Sequence, residues 1–496
     1  MNNLVVLPIV IPLFTGMFLI MFKERIFFQR LLAFLALAGT SGVTYFLIYQ
    51  IDHLGIQTLQ MGSWPAPYGI TLAVDMFSAL LLLTGNIVAL LCLLFAFRSL
   101  DPQIETTYFY PLFLFLITGV NGSFITGDLF NLYVFFEVLL IASYVLVSLG
   151  GKRRQLREAM KYVVINVISS TLFLFAIAYL YSLTGTLNLA HLSVRVAESG
   201  QDGFTTVLAL LLLLVFAIKA GLFLFFWLPG AYSAPPTAIA ALFAALMTKV
   251  GIYAIFRMFT LVFYHQLSIT HLFIGILAAV TMILGGFGAS AFGEIKQILT
   301  YNVIIGAGFI LAGLATYTPE GLGGSVFYLI HDMISKALVF LIGGTIIHLT
   351  GTTKLKDMSG LIRSHPVLGW MFFLAILALA GIPPLSGFVG KVLVTEGTFS
   401  SGYYWLGAIG LAASLMILYS LLKIFMNAFW GETVLSIEEE KGTTRGLMLP
   451  VVTLAALTVV IGLFAGFFVP YIEQAAYGLM HPELYIEAVF AGNPIP

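Results

Sequence analysis

Ten ionisable side chains stand in stretches that otherwise hold almost nothing but apolar residues: Glu137, Lys219, Lys249, Arg257, His331, Asp332, Lys336, His348, Lys391 and Lys423. Each such charge costs about 2.5 to 3.5 kcal/mol to place in a membrane, so a set of this size points to a polar interior and to proton transfer. A carboxyl group alone in hydrocarbon takes up a proton and an amine alone gives one away; brought together they hold their charges, and drawn apart they release a proton. Glu137 lies midway along Gly127-Asp-Leu-Phe-Asn-Leu-Tyr-Val-Phe-Phe-Glu-Val, and Lys219 lies in Phe216-Ala-Ile-Lys-Ala-Gly-Leu. Neither reaches a headgroup by snorkelling. At about 5 Å and an effective dielectric near 20, their attraction is roughly 3 kcal/mol. The pair then acts as a switch; the alternative is a static ion pair tying two helices, a poor stabiliser beside apolar packing.

Lys249, Lys336 and Lys391 are single lysines in the middle of three further apolar segments. A buried lysine can cycle between charged and neutral, which arginine cannot, and this favours a relay over a fixed charge. Asp332 and Lys336 stand at i and i+4 with the acid first, the favourable order for an intrahelical pair. His331 and Ser335 share the neighbouring face, where a histidine can relay protons or serve structure. Arg257 and Lys423 fall near helix ends, where snorkelling or neutralisation of the helix terminus is predicted. His348 also falls near an end, and Asp75 and Asp128 begin helices, where a cap accounts for an acid. The candidates for proton transfer are therefore Glu137, Lys219, Lys249, His331, Lys336 and Lys391, with Asp332, His348 and Asp128 secondary.

Other chemistry finds little support. The single cysteine, Cys92, excludes a disulfide, an iron–sulfur cluster and a cysteine zinc site. No nucleophile triad, zinc motif or phosphate loop occurs, so neither a cofactor nor a metal is expected, and a transporter subunit is predicted rather than an enzyme. A net charge of zero without a long basic tract gives no reason to expect nucleic-acid binding.

The elements that must position these residues are transmembrane helices. The chain has 496 residues, of which 9% are charged, and a mean hydropathy of +1.05. Apolar stretches of about 20 residues recur from end to end, each long enough to cross about 30 Å of hydrocarbon. Fourteen spans are predicted, at residues 4–21, 29–50, 71–97, 108–124, 128–149, 160–183, 205–228, 237–262, 270–290, 295–316, 323–349, 366–395, 404–430 and 447–470. Loops after odd-numbered spans carry Lys23, Arg25, Arg30, Arg98, Lys152, Arg153, Arg154, Arg157, Lys161, Lys296, Lys354, Lys356, Arg363, Lys441 and Arg445, whereas the others carry only Arg195. This asymmetry puts the odd loops in the cytoplasm and both termini outside. The tail from Tyr471 to Phe490 reads as interfacial.

Proline punctuates two spans beside a lysine: Trp227-Leu-Pro-Gly and Ala234-Pro-Pro-Thr follow Lys219, and Gly381-Ile-Pro-Pro-Leu-Ser-Gly precedes Lys391. Proline removes a backbone donor, so the seventh and twelfth helices are predicted to be broken. Breaks five spans apart suggest an inverted repeat of helices 4–8 and 9–13. The chain thus divides into an N-terminal three-helix segment (1–107), a first five-helix repeat (108–262), a second, inverted one (263–430), and a last helix with its tail (431–496).

These motifs resemble a known family, the antiporter-like subunits shared by respiratory complex I and the multisubunit Mrp-type Na⁺/H⁺ antiporters. The likeness spans nearly the whole chain and is strongest over residues 108–391. It is carried by Gly127-Asp-Leu-Phe-Asn-Leu-Tyr-Val-Phe-Phe-Glu with Ala142-Ser-Tyr, Lys219-Ala-Gly-Leu-Phe, Trp227-Leu-Pro, Ala234-Pro-Pro-Thr-Ala, Lys249-Val-Gly-Ile-Tyr, His331 with Lys336-Ala-Leu-Val-Phe, and Gly381-Ile-Pro-Pro-Leu-Ser-Gly-Phe with Lys391. The resemblance implies an all-α membrane subunit of a hetero-oligomeric bacterial antiporter that exchanges cytoplasmic Na⁺ for external H⁺. It implies a switching pair at Glu137 and Lys219, central transfer by Lys249 and His331, and an exit at Lys391. Two departures stand out: Phe223-Leu-Phe-Phe fills a stretch where the family often has a histidine, and Asp332 follows His331, where it is predicted to clamp Lys336. A proton-pumping subunit of a complex I or membrane-bound hydrogenase assembly is the alternative reading. No carboxylate-rich Na⁺ cluster is evident, which leaves the ion's path mainly to a partner.

Overall fold

The computed structural model describes residues 2–432 and 440–490; residues 433–439 and 491–496 of the segment expected at 431–496 lie outside the described residues. The chain is helical almost throughout. Its helices are α1 (Leu7–Ile20), α2 (Ile26–Leu54), α3 (Met76–Ser99), α4 (Pro102–Glu105), α5 (Phe109–Ile125), α6 (Leu129–Ser148) and α7 (Arg153–Thr184). There follow α8 (Leu189–Ser199), α9 (Gly203–Ala220), α10 (Leu228–Ser233), α11 (Thr237–Leu261), α12 (Leu267–Ala291), α13 (Ile295–Thr316) and α14 (Pro319–Thr350). The last are α15 (Pro366–Ala380), α16 (Ser386–Ser400), α17 (Tyr404–Ala428), α18 (Met448–Leu463), α19 (Ala465–Met480) and α20 (Pro482–Phe490). Among the described residues, eleven helices are long and apolar enough to cross a membrane, twelve if α18 and α19 count as one span. The fourteen predicted spans fall on these helices, with α5 and α15 as shorter apolar ones, so helix length does not by itself carry the count of fourteen.

Boundaries differ in places from those read in the sequence: α7 begins at Arg153 rather than at 160. Residues 71–74 are not helical: strand β2 (Thr71–Val74) pairs antiparallel with β1 (Gln57–Gln60), with Gln57 opposite Val74. By hydropathy its apolar residues merge with the following helix, but Asp75 accepts a hydrogen bond from the Ser78 amide and starts α3 there. The last span breaks at Phe464, where α18 and α19 diverge by 81°. Gly462 explains the position: a Cβ there would collide with the Pro384 carbonyl and lie 2.5 Å from the Ser386 amide, so α18 presses bare backbone onto the gap between α15 and α16. In the tail, α19 packs against α14 and α3, and α20 against α8 and β1.

The odd-numbered loops gather at one end. Arg30 pairs with Glu105 at 2.7 Å, Arg154 with Glu294 at 3.7 Å, and Lys441 donates its backbone N–H to Leu349. At the other end Asp128 bridges to Asn188, Leu72 to Thr126, and Gln60 bonds the Val489 carbonyl. The basic loops thus share one face of the bundle, the arrangement that their charge asymmetry requires.

Helices α11, α13 and α14 form the centre: the apolar part of α11 is wholly enclosed and those of the other two nearly so. A helix apolar on every side is stable only when other helices cover it. The alanines Ala238, Ala240, Ala241, Ala244 and Ala245 let the first half of α11 be approached closely. Gly251 does the same further on, where a Cβ would lie 2.6 Å from the Ala220 amide. This contact brings α11 against the end of α9, two residues from Lys249.

Candidate proton-transfer site

Both predicted breaks are present. After α9 the chain turns at Gly221, in the left-handed region at φ 70°, and resumes helix only at Leu228. After α15 it turns at Gly381, at φ 84°, and resumes at Ser386. Lys219 is the last residue but one of α9, and Lys391 the sixth of α16.

Glu137 and Lys219 come together but do not touch. Ser170 on α7 stands between them, its hydroxyl donating to Glu137 at 2.5 Å and accepting from Lys219 Nζ at 3.3 Å. Lys219 is buried and also lies 5.0 Å over the Phe136 ring. The pair expected from sequence at about 5 Å is joined through a hydroxyl, which α7 places in the gap between the two helices. Nothing in the sequence marks Ser170, since one hydroxyl in an apolar helix usually bonds its own backbone. Replacing Ser170 with alanine is expected to slow proton transfer about 3- to 10-fold, the scale of about 1 kcal/mol for one lost hydrogen bond, with threonine restoring most of the rate; initial rates of pH-gradient collapse in vesicles measure it.

Lys249 does not meet His331. Its Nζ lies 2.7 Å from Asp332 Oδ2 and donates to the Ala244 carbonyl at 2.8 Å. Lys336 lies 3.3 Å from Asp332 Oδ1, as the i, i+4 spacing predicts. Asp332 therefore clamps two lysines rather than one. His331 turns the other way, sharing a hydrogen bond through Nδ1 with Ser386 at 2.7 Å and another with Ser335 at 3.2 Å. Its ring lies tilted at 42° to Tyr328, 5.3 Å between centroids, and Lys391 Nζ lies 5.8 Å over that same Tyr328 ring.

Lys391 closes the broken end of α15. Its Nζ donates to the carbonyls of Leu379 at 2.8 Å and Ala380 at 3.1 Å and to the Ser414 hydroxyl at 2.8 Å. These carbonyls lose their helical partners at the break, and an ammonium satisfies them and opposes the negative end of the helix dipole. A mainly apolar cleft of about 590 Å³, lined by Phe388, Val392, Phe399 and Leu411 as well as Thr395 and Glu396, adjoins it.

Four expected residues stand apart from these groups. Arg257 does not snorkel: it is buried in a two-pronged pair with Asp75, at 2.7 and 2.8 Å, beneath the Tyr485 ring. The acid that caps α3 has a second face, and α11 brings the guanidinium to it. Lys423 neutralises a helix end as expected, bonding the carbonyls of Ser290 and Phe292 at the close of α12. Asp128 is the N-cap of α6. His348 is exposed and lines a separate cleft with Lys152 and Lys296.

A bundle of apolar helices with two broken members, enclosing buried carboxylate, amine, imidazole and hydroxyl groups, defines a polytopic membrane protein with a titratable interior. The family model described as NADH:quinone oxidoreductase/Mrp antiporter, TM matches residues 126–437, well over half of the chain, and the chain belongs to that family. It is 49% identical over 490 residues to the D-type Na⁺/H⁺ antiporter subunit of Bacillus subtilis (strain 168), covering 99% of each chain. Its fold matches a chain of the Mrp complex from a Dietzia species with a TM-score of 0.92 and 29% identity, covering 99% of this chain and 100% of that one. It also matches a chain of respiratory complex I from Thermus thermophilus, with a TM-score of 0.84 and 26% identity over 97% and 99% of the two. The length and motifs of the sequence agree with the first two, being most like the D-type member of the Mrp complex.

Proposed function

We propose that this chain is the proton-translocating subunit of a multisubunit Na⁺/H⁺ antiporter in a bacterial cytoplasmic membrane, a secondary transporter rather than an enzyme, with both termini outside. The observation that carries it is the set of titratable groups inside the bundle: half-buried Glu137 joined through Ser170 to buried Lys219, Lys249 and Lys336 paired with Asp332, His331 bonded to Ser386 and Ser335, and Lys391 at the break of α15. Separation of Glu137 from Lys219 releases a proton at one end, the central groups pass it across, and Lys391 discharges it at the other. These groups lie across the two five-helix units of 108–262 and 263–430, which we read as inverted repeats with Lys219 and Lys391 as counterparts. Inward proton movement supplies about 2.3 kcal/mol per charge for every 100 mV of membrane potential, which is the drive for Na⁺ extrusion through partner subunits. The 49% identity to a Na⁺/H⁺ antiporter subunit favours this over a redox-driven pump, since the complex I match is more distant.

Everted vesicles from cells expressing the chain with its partner subunits test the reading. Addition of Na⁺ is expected to collapse an imposed pH gradient, and Glu137→Ala to remove that response while the complex still assembles. Near-normal Na⁺-dependent proton movement in the variant would refute it.

A further inference from the structure

Two lysines from different helices converge on one carboxylate at the centre of the bundle. Lys249 on α11 faces Asp332 Oδ2, and Lys336 on α14 faces Oδ1, with all three groups 0–1% exposed. From α13, Gly306 faces the acid: a Cβ there would stand 2.6 Å from Oδ1, so the glycine leaves the space the carboxylate occupies. The remaining titratable groups turned toward it are His331 and Tyr328, both on α14, and Lys391 on α16 beyond that histidine. One carboxylate neutralises one ammonium. A second ammonium would be an uncompensated charge in the interior, so the trio at rest holds a single excess proton for two amines. The carboxylate is shared between two competing partners, one oxygen to each.

Resting on the proton-transfer reading above, we propose that Asp332 is itself a proton carrier, the link through which a proton passes from Lys249 to Lys336. The Nζ–H bond of protonated Lys249 breaks as an O–H bond forms at Oδ2, leaving a neutral amine and a carboxylic acid. The acid turns about its Cβ–Cγ bond, the O–H bond breaks, and neutral Lys336 takes the proton, restoring the carboxylate. The net charge of the trio is zero at each stage, and no further reactant is consumed.

Asp332→Asn and Asp332→Glu, assayed in everted vesicles beside Glu137→Ala, test this. Asp332→Asn keeps the shape and loses the carrier, and is expected to lower Na⁺-dependent proton movement at least 10-fold with the complex recovered intact. Asp332→Glu is expected to keep measurable exchange with a displaced pH profile. More than half of the parent rate in Asp332→Asn, or an unmoved pH profile in Asp332→Glu, would overturn the proposal, as would loss of exchange in both variants with assembly intact. Where Asp332→Asn does not assemble, the Asp332→Glu profile decides. Normal exchange in Glu137→Ala would instead remove the underlying reading, whatever Asp332 does.

Discussion

Lys219→Met is expected to reduce Na⁺-dependent proton movement to the background of vesicles lacking the complex, a loss of at least 100-fold, and Lys219→Arg to do nearly the same. The second variant is the informative one. A guanidinium keeps the charge that Ser170 and Glu137 face, so a pair whose only task is to hold α6, α7 and α9 together would tolerate it; a group that must give up its proton cannot be replaced by one that never does. The geometry adds a further expectation. Because Ser170 joins Glu137 to Lys219 in one hydrogen-bonded unit, Glu137→Gln with Lys219→Met should be no slower than either alone, as with other residues that act together. Rates that multiply would show two independent roles.

Removal of the Arg257 guanidinium is expected to have the largest effect on stability. Arg257→Met leaves the Asp75 carboxylate buried and unpaired, which costs about 3 to 5 kcal/mol. Asp75→Asn with Arg257→Met removes both charges and should recover most of that. Thermal unfolding of the detergent-extracted complex, together with its yield from the membrane, measures both; equal losses in the single and double variants would contradict the pairing. Neither residue touches the proton-transfer groups, so any Arg257→Met complex that survives should exchange at the parent rate.

The contrast between these two sites shows what can be read from sequence. Helices, broken spans and the candidate lysines are legible because hydropathy, proline and intramembrane charge are properties of short segments. Asp332 with Lys336 is legible because four residues along a helix fixes a contact. Lys249 with Asp332, 83 positions apart, depends on how α11 crosses α14, and nothing local in either helix records that. Arg257 misleads for the same reason: its place near a helix end suggests an interface, while its partner lies on α3 behind a capping role already sufficient to explain it. Their common side could have been matched, since the alternation of spans puts the start of the third, with Asp75, and the end of the eighth, with Arg257, at the same end of the bundle. Ser170 carries no signal at all, because a hydroxyl becomes a bridge only when two other helices aim at it. The second strand of the hairpin, 71–74, hides at the start of an apolar run, although Pro65, Pro67 and Gly69 mark the turn before it.

Lys391 seals the open carbonyls of α15 with the same nitrogen that would carry the proton. Its ammonium has three hydrogens for three acceptors, and its neutral amine has two. Discharge therefore leaves two N–H bonds for the two carbonyls and a lone pair for the Ser414 hydroxyl to donate to, so that the ionisation of one side chain and the turn of a neighbouring hydroxyl on α17 become a single coordinate at the break.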